Sequence, residues 1–319
     1  MAAHEPRAAM RADLTGTILL QRRPKNRSPR PYGCEPINLV ARQLPTPEAM
    51  QRPSANLKAW CRQIKDSMKK GIFVATPAYG GMCYLPYVNG LLELQRACVV
   101  ASIEFDYFYV SGTALLHEQR NVAVERFLQS DLSHMMFIDA DIGFRADDVI
   151  RMFEQQNDVM IGLYPAKTIN WTSVVNAARS DPSASVEKIA LFSASYNKTA
   201  YAMDNTEVGI APDSIFEIDS GGTGLMMISR PVFQEMESAY PHTKVQIPYS
   251  YRNLVPNATS MYEHFEFLRE PDGRSLSEDI SFCKKWRACG GKLYACSWFK
   301  TVHAGLHLYD GNLPALLDR

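Results

Sequence analysis

Asp139 and Asp141 flank Ala140 directly after the apolar run His134-Met135-Met136-Phe137-Ile138. Two carboxylates one residue apart at the mouth of a buried strand can present oxygen ligands to one divalent cation. Such an acidic edge is costly to desolvate without a cation or hydrogen-bond donors. The same residues could instead cap a helix that begins near Arg145. A second acidic pair, Glu278-Asp279, follows Ser277 and precedes a helical run over residues 280–288. A carboxylate there can act as a general base, or it can simply stabilise the helix dipole. Lys167 follows another apolar run and could reach a phosphate or a sugar hydroxyl, or stand exposed as a structural lysine.

The elements around these residues alternate in type. Residues 72–76 read as a strand that stops at Pro77 and the Gly80-Gly81 pair, and residues 85–100 read as a helix. A strand over 105–110, a helix over 116–129, a strand over 134–138, a helix over 145–156 and a strand over 159–164 follow. This order predicts an α/β domain with a mostly parallel central sheet and helices on both faces. Ligands of such sheets bind at the carboxyl ends of the strands, where Thr76, Ser111 and Asp139-Ala140-Asp141 fall. Gly221, Gly222 and Gly224 point to close backbone approach or a bulge. Residues 245–270, with Tyr249, Tyr251, Tyr262 and His264, read as an acceptor lid or a packed surface loop.

In this order the chain resembles glycosyltransferases of the GT-A type, a Rossmann-like fold that uses nucleotide sugars. Phe73-Val74-Ala75-Thr76-Pro77 is similar to the family's first strand, which implies that Thr76, Pro77 and Tyr79 cradle the nucleotide. Glu118-Gln119-Arg120-Asn121 resembles the Arg-Asn helix start, which implies Arg120 near the nucleotide. Phe137-Ile138-Asp139-Ala140-Asp141-Ile142 resembles the DxD motif, and implies Asp139, Ala140 and Asp141 at the donor diphosphate. Asp219-Ser220-Gly221-Gly222-Thr223-Gly224-Leu225-Met226-Met227-Ile228 resembles the glycine-rich strand that lines the acceptor side. Ser277-Glu278-Asp279-Ile280 resembles the acidic pair, implying a catalytic role for Asp279, as general base, and for Glu278. His303-Ala304-Gly305 resembles the His-x-Gly that completes the metal shell, implying Asp139, Asp141 and His303 as ligands. Carboxylates with an imidazole suit Mn²⁺ better than Mg²⁺, which becomes the weaker substitute. The implied reaction moves a sugar from a nucleotide-diphosphate sugar to a glycan, glycolipid or protein hydroxyl, with the stereochemistry open.

Composition sets the frame. The 319 residues are 46% hydrophobic and 21% charged, which excludes a wholly disordered or collagenous chain. Lys plus Arg and Asp plus Glu each number 34, so no global field draws nucleic acid or anionic lipid. Residues 1–70 nevertheless carry 14 basic against 5 acidic residues, a net +9. They read as an extended, proline-rich basic arm ahead of a GT-A domain at 71–319, with a nucleotide-sugar half at 71–170 and an acceptor half at 171–319. The arm keeps a second reading open: a nucleic-acid-associated protein, including a glycosyltransferase acting on modified DNA bases. A nucleotidyltransferase or metal-dependent phosphohydrolase would be expected to show further carboxylates or a Walker-type loop, and neither is evident. Seven scattered cysteines read as buried reduced thiols. With no apolar span or signal core, a soluble cytoplasmic protein is the expectation.

Overall fold

A computed structural model describes residues 68–196, 211 and 213–306. The basic arm lies outside the described residues apart from Met68 to Lys70, and Lys69 and Lys70 already belong to the first strand.

The chain opens with β1 (Lys69–Ala78), α1 (Leu85–Val100), β2 (Glu104–Ser111), α2 (Leu116–Leu128) and β3 (Leu132–Ile138). The two-residue β4 (Ile142–Gly143) leads into α3 (Ala146–Glu154) and β5 (Val159–Gly162). An outlying layer follows, made of β6 (Pro165–Ile169), α4 (Trp171–Ser180), α5 (Val186–Ala190) and β7 (Ala194–Tyr196). The chain then adds β8 (Ile215–Ile218), β9 (Leu225–Ser229), α6 (Arg230–Ala239), β10 (Lys244–Gln246) and β11 (Ser260–Tyr262). Last come β12 (Leu268–Arg269), β13 (Ser275–Leu276), α7 (Glu278–Ala288), β14 (Leu293–Cys296) and β15 (Val302–His303).

Seven strands form one sheet in the order β2-β1-β3-β9-β5-β14-β8. The expectation of a mostly parallel sheet is corrected here, because the sheet is evenly mixed. β1 runs parallel to β2 and β3, and β14 to β5, whereas β9 is antiparallel to both β3 and β5, and β8 to β14. The fold is therefore an α/β, Rossmann-like one whose helix-linked parallel strands are split by an antiparallel insertion. Strands from both sides of residue 170 share this sheet.

Strand periodicity builds two cores. Phe73, Met135, Phe137, Met226 and Ile228 face one side, against Phe127 of α2, Phe233 of α6 and Phe282 of α7. Ile72, Val74, Met136, Ile138 and Met227 face the other, against Leu94 and Cys98 of α1 and Val149 and Phe153 of α3. β1 does not stop at Pro77, as the proline had implied, but continues to Ala78. Beyond Ala75, the last residue paired with β3, only β2 pairs with it, so a residue without an N–H is tolerated. Of the described cysteines, Cys98, Cys283, Cys289 and Cys296 are buried and free, but Cys83 is exposed, because it lies in the loop before α1. Among the described residues no helix is long and apolar enough to cross a membrane.

Candidate active site

β3 delivers Asp139-Ala140-Asp141 to the carboxyl edge of the sheet, and backbone bonds fix the triplet from three directions. Asp139 N donates to Gly224 O at 2.9 Å, Tyr84 N to Ala140 O at 3.0 Å, and Ala304 N to Asp141 O at 2.8 Å. The third bond belongs to a strap, for β15 pairs antiparallel with β4 and sets His303 opposite Ile142. Residues 160 positions apart in the chain thus meet by ladder geometry.

The side chains divide into an inner and an outer group. Inside, Arg120 on α2 is 2% exposed and stacks over Phe137 at 5.4 Å. Its Nη2 lies 3.5 Å from Asp139 Oδ1 and its Nε 3.5 Å from Glu278 Oε1, while Nε and Nη1 make no hydrogen bond. Burial pushes the Asp139 carboxyl above its ordinary range, with Arg120 opposing and Asp141 adding to the rise. Outside, Lys167 Nζ donates to Asp141 Oδ2. His303 Nδ1 lies 2.7 Å from the Pro165 carbonyl oxygen, which can only accept, so Nδ1 carries the proton. That bond leaves Nε2 directed at Asp141 Oδ1, 3.4 Å away. A neutral imidazole then turns a lone pair toward a carboxylate, an arrangement that a shared cation or protonation stabilises. Among the described residues no group of three His, Cys, Asp or Glu side chains converges as a ready-made metal cluster.

The glycine-rich segment precedes β9 rather than forming it, and its glycines are required by close approach. A Cβ on Gly224 would lie 2.6 Å from Tyr164 Oη and 2.8 Å from Asp139 Oδ2, and one on Gly222 would lie 2.7 Å from Tyr164 Oη. Tyr164 stands between Asp139 and Asp279 and meets His303 edge to face at 5.4 Å. The sequence offered Tyr164 only as the end of a strand, and no local signal marked it as part of the site.

The acidic pair at the start of α7 is split by the helix. Glu278, expected to be catalytic, is buried and lies 3.5 Å from Arg120 Nε, so α7 turns it inward. Asp279 accepts from Ser277 Oγ and from Ile280 N through Oδ1, leaving Oδ2 on the Gly222 side. Thr76, expected at the nucleotide, points into the core. It is 2% exposed, and its hydroxyl bonds to Tyr87 Oη at 2.6 Å inside the core, turned from the cleft by strand alternation. Pro77 and Tyr79 do line a cleft of about 500 Å³ together with Asp139, Ala140 and Asp141. In the expected lid, Tyr251 and His264 are buried and Tyr249 is exposed. Asn121 bonds the Phe265 backbone in both directions, at 2.8 and 2.9 Å, so it clamps this segment to α2.

No protein-family model and no curated protein matches the chain. Among solved structures, A197 from STIV is 18% identical over 73% of this chain and 85% of that one, with a TM-score of 0.39. The 4-diphosphocytidyl-2C-methyl-D-erythritol synthase of Anaerococcus prevotii is 10% identical over 70% and 98% of the two chains, with a TM-score of 0.28. HddC from Yersinia pseudotuberculosis, complexed with GMP-PN, is 11% identical over 68% and 98%, with a TM-score of 0.27. Likenesses this remote assign no family to the chain, so its function has to be argued from the site.

Proposed function

We propose that the chain is a divalent-metal-dependent glycosyltransferase that moves a sugar from a nucleotide-diphosphate sugar to a hydroxyl of a glycan, glycolipid or protein. One observation carries the reading: Asp139-Ala140-Asp141 closes the floor of a cleft at the carboxyl edge of the sheet, with His303 held against Asp141 by the β4–β15 pairing. Asp141 and His303, with Asp139 beside them, are the residues that would hold Mn²⁺ or Mg²⁺. That donor set suits a hard to borderline cation, and the facing lone pairs of His303 Nε2 and Asp141 Oδ1 fit one. A bound cation supplies neutralisation of the negative charge that develops on a departing diphosphate.

The chain's own residues support the remaining roles. Pro77 and Tyr79 form an apolar wall for the nucleotide. Lys167, bonded to Asp141, is placed at the rim where phosphate charge would arrive. Arg120 balances the buried Asp139 and Glu278 and so holds Asp139 in place from behind. Asp279 is the general base, since Ser277 and Ile280 fix one carboxylate oxygen and leave Oδ2 to accept the acceptor proton.

Thermal unfolding tests the reading. UDP, GDP, CMP and dTDP are each added with and without Mn²⁺ to the wild type and to Asp141→Ala. A ligand at about one hundred times its dissociation constant stabilises by roughly 2.7 kcal/mol, which raises the midpoint of a domain this size by about 5 to 10 °C. The expected outcome is a Mn²⁺-dependent rise with one nucleotide that Asp141→Ala abolishes. Absence of a rise with all four nucleotides overturns the donor site for these bases.

A further inference from the structure

A larger cavity, about 900 Å³, lies on the other side of the 113–118 segment from the Asp139 cleft. Thr113 lines both cavities, while the consecutive residues Glu118 and Gln119 line one each. This second cavity follows from the sheet order. Among the described residues β2 is an edge strand, and no described strand pairs with it on the side away from β1. The rings of Tyr107 and Tyr109 stack with centroids 6.3 Å apart and an interplanar angle of 26°. Tyr109 is 56% exposed, whereas Tyr107 is steadied by a hydroxyl chain from Thr76 through Tyr87, which donates to Tyr107 at 3.3 Å.

The polar groups narrow the ligand. Tyr251 is 3% exposed and lines the cavity, with its hydroxyl set against Thr113 and Glu118. Ser111, Ser250 and Asn253 add hydroxyl and amide groups, and among the described residues that line the cavity Glu118 is the one that is charged. A phosphate or carboxylate ligand would face Glu118 with no Lys or Arg to balance it. A purely apolar ligand would leave these polar groups dry and unpaired. A sugar ring presents apolar C–H faces to aromatic rings and hydroxyls around its edge, and so satisfies both kinds of lining.

We propose that this cavity binds a neutral saccharide, with Tyr109 as its stacking platform. Naming that saccharide the acceptor rests on the glycosyl-transfer reading; the binding itself does not. The site adjoins the Asp139 cleft across a single loop, so a chain of several sugar units could occupy it while another unit entered the cleft.

The test uses the full chain without metal or nucleotide. Isothermal titration calorimetry and saturation-transfer NMR are run with neutral oligosaccharides of glucose, mannose, galactose, xylose and N-acetylglucosamine, against the wild type, Tyr109→Ala and Tyr109→Phe. The expected result is binding of at least one saccharide with a dissociation constant near or below about 1 mM. Tyr109→Ala should weaken it about tenfold and Tyr109→Phe should keep it, because the ring supplies the stacking. No binding by any of these saccharides overturns the proposal, as does binding that Tyr109→Ala leaves unchanged. Nucleotide-dependent thermal shifts with Mn²⁺, measured on the same proteins, separate the two readings. If the saccharide signal follows Tyr109 while no nucleotide shifts the wild type, the cavity assignment stands and the donor site falls. If nucleotides shift the wild type but no saccharide binds, the donor site stands and the cavity assignment falls.

Discussion

Glu278 and Asp279 are chemically alike and adjacent in the sequence, yet α7 sends them to different work. Glu278 lies 3.5 Å from the buried Arg120, whereas Asp279 in the first turn of α7 accepts from Ser277 Oγ and Ile280 N with one oxygen and leaves the other on the Gly222 side. Substitutions should therefore separate stability from turnover. Glu278→Gln keeps the shape but removes the charge facing Arg120, and should cost about 1 to 3 kcal/mol in urea unfolding. Asp279→Asn should leave the unfolding midpoint nearly unchanged and lower sugar transfer by about 10²-fold or more. If Asp279→Asn destabilises as much as Glu278→Gln while sparing turnover, Asp279 is only a helix cap. The acidic triplet was legible because Asp-Ala-Asp after an apolar strand is a local pattern. Glu278's inward turn was not, since it depends on Arg120, 158 positions earlier. Tyr164 escaped for the same reason: what surrounds it is Asp139, Asp279 and Gly224, none of them near it in the chain.

Helix α2 presents Arg120 to the site and is anchored at both ends, which makes it the element on which the inner charges depend. Asn121 ties its first half to the Phe265 backbone. At its other end Arg230 donates to the carbonyls of Phe127, Leu128, Ser130 and Leu132, at 2.9 to 3.2 Å. These carbonyls lie at a helix end and its exit turn, where intrahelical partners run out, and the Phe127 carbonyl also accepts from Ser130 N and Oγ. Arg230→Met keeps an apolar side chain but strips the donors and the guanidinium that lies 4.3 Å over the Phe127 ring, and should cost about 2 to 4 kcal/mol in urea unfolding. A loss below about 1 kcal/mol would mean that water replaces the guanidinium there. The helix itself was readable to within a residue, from apolar spacing that ends near Gln129. Its clamps were not, because Arg230 and Phe265 lie a hundred or more residues away. For β1 the sequence misled: Pro77 looks like a terminator, and only the missing partner strand beyond Ala75 explains its place in a strand.

Across the whole molecule, strand positions were legible and strand directions were not. The continuous apolar run Leu225–Ile228 marks a strand buried on both faces but is identical for a parallel and an antiparallel neighbour, so the insertion of β9 between β3 and β5 had no local signature. That insertion matters, because it carries the Gly224 carbonyl to Asp139 and helps bury a carboxylate that burial penalises. Two buried groups consequently make stability depend on pH in opposite senses. Asp139 has a folded pKa above its unfolded 3.8, because desolvation, reinforced by Asp141, outweighs Arg120. Between those two values the folded state holds the extra proton, so this contribution is lost as pH rises through the folded pKa. His264 has a folded pKa below 6.5, because burial outweighs Glu237, so its contribution is lost as pH falls below 6.5 and the unfolded state takes the proton. Above its folded pKa the Asp139 carboxylate carries the full desolvation penalty. Asp139→Asn imitates the protonated form, and should raise the melting midpoint of the metal-free protein in EDTA at about pH 7.5. The gap to the wild type should narrow as pH falls through the raised folded pKa and the wild-type carboxyl regains its proton. The same variant should lose Mn²⁺-dependent stabilisation by nucleotide. A lower midpoint at neutral pH would instead mean that the Arg120 pairing outweighs desolvation, and that Asp139 is held for the fold rather than for a ligand.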